Sequence, residues 1–181
     1  DTLEKLVQEG KIRTYGWSTD DPEKAEAFAK KEHCHVEQHG QNIFEWNGGM
    51  MELCEKYDLA SFNRSPLAMG LLTGKFKSDS ILKDNDIRGK NAPEYMKFFK
   101  EGRPDPVWLA RVEAIREIVT ARGRTPAQGA LGWLWAKSER IIPIPGFKTS
   151  KQVQDNAKAM EFGPLLPGQM DEIEKLLDRK E

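Results

Sequence analysis

Cysteine is nearly absent: Cys34 and Cys54 are the two in 181 residues. They fit neither a disulfide framework nor a metal-ligand spacing, which argues against a stapled secreted scaffold and points to a reducing, cytoplasmic setting. No apolar run approaches the roughly 20 residues that span a bilayer. An excess of either charge is missing too. Twenty-eight Lys and Arg meet 29 Asp and Glu, a net charge of -1, so neither nucleic acid nor an anionic membrane is an expected partner. The opening Asp-Thr-Leu-Glu-Lys-Leu has no signal-peptide pattern. A start at Asp1 instead of methionine fits a fragment or a processed product. At this length one domain, 1–181, is expected.

What is present is an alternation of strand and helix. Residues 2–9 read as the end of an amphipathic helix stopped by Gly10. Residues 12–17 alternate like a strand, and Asp21-Pro22 opens a helix over 22–32. A second strand fits 34–39, a helix 47–57 with Met50, Met51 and Cys54 on its buried face, and a third strand 59–62. Residues 76–104 form a polar segment too long for an ordinary connection. Helices are expected at 106–122, with Val112, Ile115, Ile118 and Val119 on one face, and at 126–137, opened by the capping box Thr125-Pro-Ala-Gln128. A fourth strand covers Ile141, Ile142 and Ile144, and helices close the chain near 150–160 and 167–178. The charged tail after Leu177 is expected to be solvated.

The run Arg140-Ile-Ile-Pro-Ile-Pro-Gly-Phe-Lys-Thr-Ser-Lys-Gln-Val-Gln-Asp-Asn156 is the most informative stretch. A buried strand passes through a Gly-containing turn into a helix, with Thr149 and Gln152 spaced as a capping box. The first turn of that helix offers backbone N–H groups and Lys148 precedes it, a combination suited to phosphate. An ordinary strand–loop–helix connection with a solvated lysine explains the same residues. Four strand–helix alternations imply a parallel α/β fold, whose ligands sit at the strand C-termini. Those ends here are Ser18-Thr19, Gln38-His39 with Gln41-Asn42, Asn63-Arg64-Ser65, and 146–149. Four polar strand ends favour the phosphate reading.

Other candidates have plainer readings. Strand alternation puts His33, His35 and His39 on one face with Cys34 opposite. Three imidazoles there could bind zinc, but a strand with one histidine turned toward the rim is preferred, and no metal site is assigned. Trp108, Trp133 and Trp135 have helical spacing and suit packing, whereas Trp17 and Trp46, beside strand ends, are candidates for a substrate pocket. In the long loop, Tyr95, Met96, Phe98 and Phe99 suit either a lid or packing.

Taken together these residues resemble the C-terminal half of an aldo-keto reductase, a NADP-dependent (β/α)8 barrel of the TIM type. The resemblance rests on Glu9-Gly-Lys-Ile-Arg13 with Tyr15-Gly-Trp-Ser18, Val36-Glu-Gln-His39 with Asn42-Ile-Phe44, Ser65-Pro-Leu-Ala-Met-Gly-Leu-Leu-Thr-Gly-Lys75, Thr125-Pro-Ala-Gln-Gly-Ala-Leu131, and Ile141-Ile-Pro-Ile-Pro-Gly146. It implies that the four strands are numbers five to eight of that barrel. Ser18 and Gln38 would then hydrogen-bond the nicotinamide carboxamide of NADP(H). Thr19 stands where the family often has Asn. Arg64 occupies the position of an aromatic ring that stacks on the nicotinamide; its planar guanidinium can stack, but a cation there disfavours the oxidised ring. Ser65, Leu67, Gly70, Leu71 and Lys75 would line the pyrophosphate. Gly146, Lys148, Thr149, Gln152 and Asn156 would hold the adenosine and its 2′-phosphate, and a lysine there favours NADP over NAD.

The family's catalytic Asp, Tyr, Lys and His have no counterparts in this sequence. Its three tyrosines, Tyr15, Tyr57 and Tyr95, lie in a strand, at a helix end and in the long loop. A four-strand half barrel would also leave two strand edges and an apolar inner face unpaired. Two readings follow. In one, the chain is the NADP-binding half of an enzyme that reduces a small-molecule aldehyde or ketone, completed by an N-terminal barrel half. In the other, it is a catalytically inactive half barrel that binds dinucleotide or pairs with a second copy or another chain.

Overall fold

The computed structural model describes residues 2–178. Its packing divides the chain into two compact units: Asp1–Pro66 with Lys137–Pro145, and Leu67–Ala136 with Gly146–Glu181. The charged tail expected beyond Leu177 lies, apart from Asp178, outside the described residues.

The first unit is built on a parallel sheet of four strands, β1 (Tyr15–Ser18), β2 (Cys34–Gly40), β3 (Ala60–Arg64) and β6 (Ile141–Pro143), in that order across the sheet. Helix α1 (Thr2–Gln8) precedes β1, α2 (Pro22–Ala29) joins β1 to β2, and α3 (Gly48–Lys56) joins β2 to β3. Local chemistry sets the helix starts. Asp21 caps α2 by accepting from the amides of Glu23 and Lys24, with Pro22 at the first helical position; Asn47 caps α3 by accepting from Met50 N. Ala25 and Ala29 of α2 pack with Met50, Leu53 and Cys54 of α3 and with Leu59, all buried.

Strand β1 begins at Tyr15, not at Ile12, because Thr14 Oγ1 and Tyr15 N both donate to His33 O and fix the first bond of the ladder. Tyr15 pairs with Cys34 and Gly16 with Val36, so β2 carries one extra residue at His35. That bulge overturns the expected alternation. Cys34 turns to the helix-covered side together with Glu37 and His39, while His35 is exposed. His33, His35 and His39 therefore do not converge, and among the described residues no group of His, Cys, Asp or Glu could hold a metal ion. Both cysteines are buried free thiols; burial pushes Cys34 up to about 11 and Cys54 to about 12.

The helix-covered face of the sheet holds a column of buried polar side chains. Register sets Glu37 beside Ser61 and His39 beside Asn63. His39 Nε2 lies 2.8 Å from Ser61 Oγ, which also accepts from Asn63 Nδ2 at 2.9 Å. The opposite face is open: Gly16, Ser18, Ile142 and Ile144 are exposed there, and Val36, Gln38, Ala60, Phe62 and Arg64 are half-buried. Trp17 faces the helices and stacks on Phe28 at 4.7 Å, which removes it from the open face.

The second unit begins with a 3-10 turn, Ala68–Thr73, and runs through a short antiparallel hairpin of β4 (Phe99–Lys100) and β5 (Arg103–Pro104). Helices α4 (Pro106–Ala114) and α5 (Arg116–Thr120) replace the single helix expected over 106–122, with a break at Ile115. The apolar stripe Val112, Ile115, Ile118 and Val119 is nevertheless buried as its periodicity requires. Helix α6 (Pro126–Lys137) opens on the expected capping box, Gln128 N donating to Thr125 Oγ1 and Thr125 N to Gln128 Oε1. Its Gly129 is obligatory, since a Cβ there would stand 2.0 Å from Val119 O. Trp133 is fully buried on the same helix, and Trp108 of α4 packs edge-on to Phe98. Helices α7 (Ser150–Phe162) and α8 (Pro167–Leu176) complete the unit.

Candidate functional site

In the first unit the strand C-termini gather a polar rim. Ser18 pairs in register with Gln38, and Gln38 with Phe62, so Ser18 and Gln38 stand side by side on the open face. One step further along, Gly40 pairs with Arg64. The Arg64 guanidinium is ion-paired to Asp20 Oδ2, and Asp20 Oδ1 accepts from Gly40 N at 2.7 Å. A Cβ on residue 40 would stand 3.2 Å from Arg64 Nη1, so glycine leaves the space in which the guanidinium crosses the strand. Asp20 and Gly40 were absent from the residues expected at the site.

The rim is held from below by a second network. Asn42 Nδ2 donates to Glu45 Oε2 and to Ser65 O, and Asn42 Oδ1 accepts from Phe44 N. Gln41 Oε1 accepts from Asn47 N. Ser65 follows β3 with φ 56°, in the left-handed region. His39, expected to have a ring turned to the rim, instead lies on the helix-covered face, where burial pulls its pKa down.

In the second unit, Ala68, Met69 and Gly70 have φ of 48°, 55° and 91°. Three successive left-handed residues curl the backbone into a tight, concave turn, closed by Gly70 N and Leu72 N donating to Leu67 O. The side chains of Leu67 and Leu71 are buried, so what these positions offer a ligand is main chain. A Cβ on Gly70 would lie 3.2 Å from Arg88 Nη1 and 3.5 Å from Lys75 Nζ, which places two cations beside the turn. Arg88 donates through Nη1 to Met69 O at 2.8 Å and is gripped through Nε and Nη2 by both oxygens of Asp86, each at 2.8 Å. Its guanidinium also lies over the rings of Phe76 and Phe99, 5.3 and 5.6 Å from their centroids. Burial, and after it the charges of Arg88 and Lys148, hold the Lys75 ammonium below its ordinary pKa. The bond from Arg88 holds the Asp86 carboxyl well below the usual carboxylate range.

The helix start singled out in the sequence is formed, with one difference. Thr149 Oγ1 accepts from Gln152 N at 3.3 Å, but Gln152 Oε1 reaches back to Lys148 N at 2.6 Å instead of to the cap residue's own amide. The loop just before α7 is thereby closed onto its first turn. The amides of Ser150 and Lys151 remain as first-turn donors with no intrahelical acceptor. Asn156 sits one turn beyond Gln152 on the same side of the helix. Gly146 has open space around its Cα, so room alone does not require glycine there.

Arg88, like Asp20 and Gly40, is a functional candidate that the sequence did not single out. It lies in the polar 76–104 segment, and the only local signal was Asp86 two residues before it. The aromatics expected as either lid or packing divide: Met96, Phe98 and Phe99 are buried in the second unit and Tyr95 is exposed. Tyr15 donates to Glu4, and burial together with that bond pushes its pKa above the ordinary value; Tyr57 donates to Glu26 at 2.7 Å.

The family model "Aldo/keto reductase family" matches residues 1–178. The chain belongs to this family. An aldo-keto reductase of Schizosaccharomyces pombe, yakc, whose name specifies NADP(+), is 35% identical over 135 residues, 74% of this chain and 37% of that protein. A probable voltage-gated potassium channel subunit beta of Arabidopsis thaliana is 33% identical over 117 residues, 64% of this chain and 34% of that protein. Among solved structures, a glycerol dehydrogenase from Gluconobacter oxydans superposes with a TM-score of 0.82 at 25% identity, covering 98% of this chain and 52% of that one. An aldo/keto reductase from Klebsiella pneumoniae in complex with NADP and acetate gives a TM-score of 0.67 at 23% identity, covering 99% and 53%. This chain thus spans about half the length of the solved aldo-keto reductases it matches. The α/β architecture with a parallel sheet is the one those barrels share.

Proposed function

We propose that this aldo-keto reductase chain is the NADP(H)-binding, C-terminal half of a (β/α)8 barrel, residues 1–181 acting as one domain within a carbonyl reductase. The observation that carries the reading is the cationic cluster of the second unit. Lys75 lies within electrostatic reach of both Arg88 and Lys148, and Lys75 and Arg88 stand beside a concave left-handed turn. Asp86 is the carboxylate that faces them and is already taken up by Arg88. Gathering like charges against one turn costs stability unless an anion joins them, and a pyrophosphate and a 2′-phosphate are such anions. The donor set therefore fits the cofactor.

In this reading Ser18 and Gln38 hold the nicotinamide carboxamide and Arg64 lies against its ring. The main chain of Ser65, Leu67, Gly70 and Leu71 with Lys75 and Arg88 lines the pyrophosphate. Gly146, Lys148, Thr149, Gln152 and Asn156 take the adenosine and its 2′-phosphate. Bound NADPH supplies the hydride for a carbonyl carbon. The proton for the carbonyl oxygen is assigned to the N-terminal barrel half that completes the site.

The exposed Ile142 and Ile144 on the open sheet face favour a companion reading for assembly, in which that face is covered by the polypeptide that completes the barrel. Titration calorimetry of the chain with NADPH and NADH tests the cofactor assignment. NADPH should bind at least about tenfold more tightly, with an advantage that shrinks as salt screens the 2′-phosphate. Equal binding of the two would refute the NADP assignment, and no binding of either would refute the cofactor reading.

A further inference from the structure

Arg64 is an unusual group to find where a nicotinamide would lie. It shares the open sheet face with Ser18 and Gln38 and stands two residues further along β3 than the row that contains Gln38. Two residues of strand span about 6.6 Å, close to the distance from a carboxamide to the far side of a six-membered ring. A ring whose amide is held by Ser18 and Gln38 would therefore lie over the guanidinium. That guanidinium has a defined partner at the end of β1. It is paired with Asp20, and Asp20 is itself held by the amide of Gly40. The missing Cβ of Gly40 keeps the cation low across the strand.

We propose that Arg64, positioned by Asp20 and Gly40, is a specificity-determining residue that favours the reduced over the oxidised form of the bound cofactor. The proposal rests on the NADP(H) reading above and adds a direction to it. NADPH and NADP+ carry the same phosphates and differ at the nicotinamide, which is neutral when reduced and a cation when oxidised. A guanidinium stacked on the ring repels only the oxidised form. Asp20, two residues beyond Ser18, meets that guanidinium across Gly40 and offsets the repulsion in part. The partial cancellation leaves a discrimination on the order of tenfold. A chain with this residue holds NADPH and releases NADP+, which suits carbonyl reduction more than alcohol oxidation.

The test is the ratio of dissociation constants for NADPH and NADP+, measured by calorimetry on the full chain at fixed ionic strength. The variants are Arg64→Met, Arg64→Lys and Asp20→Asn, each checked for an unchanged melting transition. Arg64→Met should tighten NADP+ and narrow the ratio by about tenfold, whereas Arg64→Lys, which keeps the charge, should retain most of it. Asp20→Asn, whose amide oxygen can still accept from Gly40 N or Arg64, should widen the ratio, because it removes the opposing charge while leaving an acceptor in place. A ratio that stays constant across the variants while both forms still bind overturns the inference and leaves the NADP(H) reading standing. An absence of binding by either form to the unaltered chain overturns both.

Discussion

Glu37 is the group whose titration should dominate the pH dependence of this chain's stability. Its side chain is fully buried on β2, one carboxyl oxygen 3.9 Å from the Cys34 thiol and the other with no hydrogen-bond partner. Burial raises its pKa from 4.5 to about 7. Below pH 4.5 the folded and unfolded chains both hold the proton, and the residue costs nothing. As pH rises from 4.5 to 7 the unfolded chain releases the proton while the folded chain keeps it, so stability falls throughout that window. Above pH 7 the cost is complete, and a shift of this size corresponds to about 3 kcal/mol. Glu37→Gln removes the titration while keeping the volume. Urea unfolding of both proteins at pH 4.5, 6, 7.5 and 8.5 should show the variant gaining up to about 3 kcal/mol on the parent across the series. Contributions from every other titrating group are common to both proteins and cancel in the difference. Parallel pH profiles would refute the claim that this carboxyl is buried in its neutral form.

Two further outcomes follow from contacts within the second unit. Gly129→Ala should destabilise the chain by about 3 kcal/mol and lower its melting temperature, because the new methyl group would meet the backbone oxygen of Val119 at 2.0 Å; an unchanged melting temperature would mean that α5 and α6 pack differently. Arg88→Ala removes the bonds to Asp86 and to Met69 O, and should speed proteolytic cleavage within 76–104 while weakening NADPH by about tenfold; cleavage at the parent rate would count against Arg88 as the tether of that segment.

Much of this fold was written in local chemistry. Asp21, Asn47, Thr125 and Thr149 are caps because a short polar side chain can reach an amide two or three residues on, a geometry that depends on nothing distant. The helix starts were therefore legible residue by residue. The histidines were not, and the reason is physical. Alternation assigns faces only while the register is regular, and the extra residue at His35 brought Cys34 to the same side as Glu37 and His39. A bulge is set by how two strands meet, which no single strand reveals.

The candidate site divides in the same way. Ser18, Gln38, Lys148 and Thr149 could be singled out because each stands at a strand end or a helix start, where unsatisfied backbone groups gather whatever the surrounding fold, whereas Lys75 was named through the family resemblance alone. Asp20, Gly40 and Arg88 act through partners 20 to 44 positions away, or on the far side of a loop: Asp20 on Gly40 and Arg64, Arg88 on Met69. Their residue types are ordinary for polar turns, and only the folded arrangement distinguishes them. Arg64 shows what that difference means for chemistry. Read from the sequence, it is a cation substituted for an aromatic ring. Paired with Asp20 over the bare Cα of Gly40, it becomes a charge at a defined place on the rim. A charge so placed can separate two ligands that differ by one charge, because it repels the one that carries a like charge.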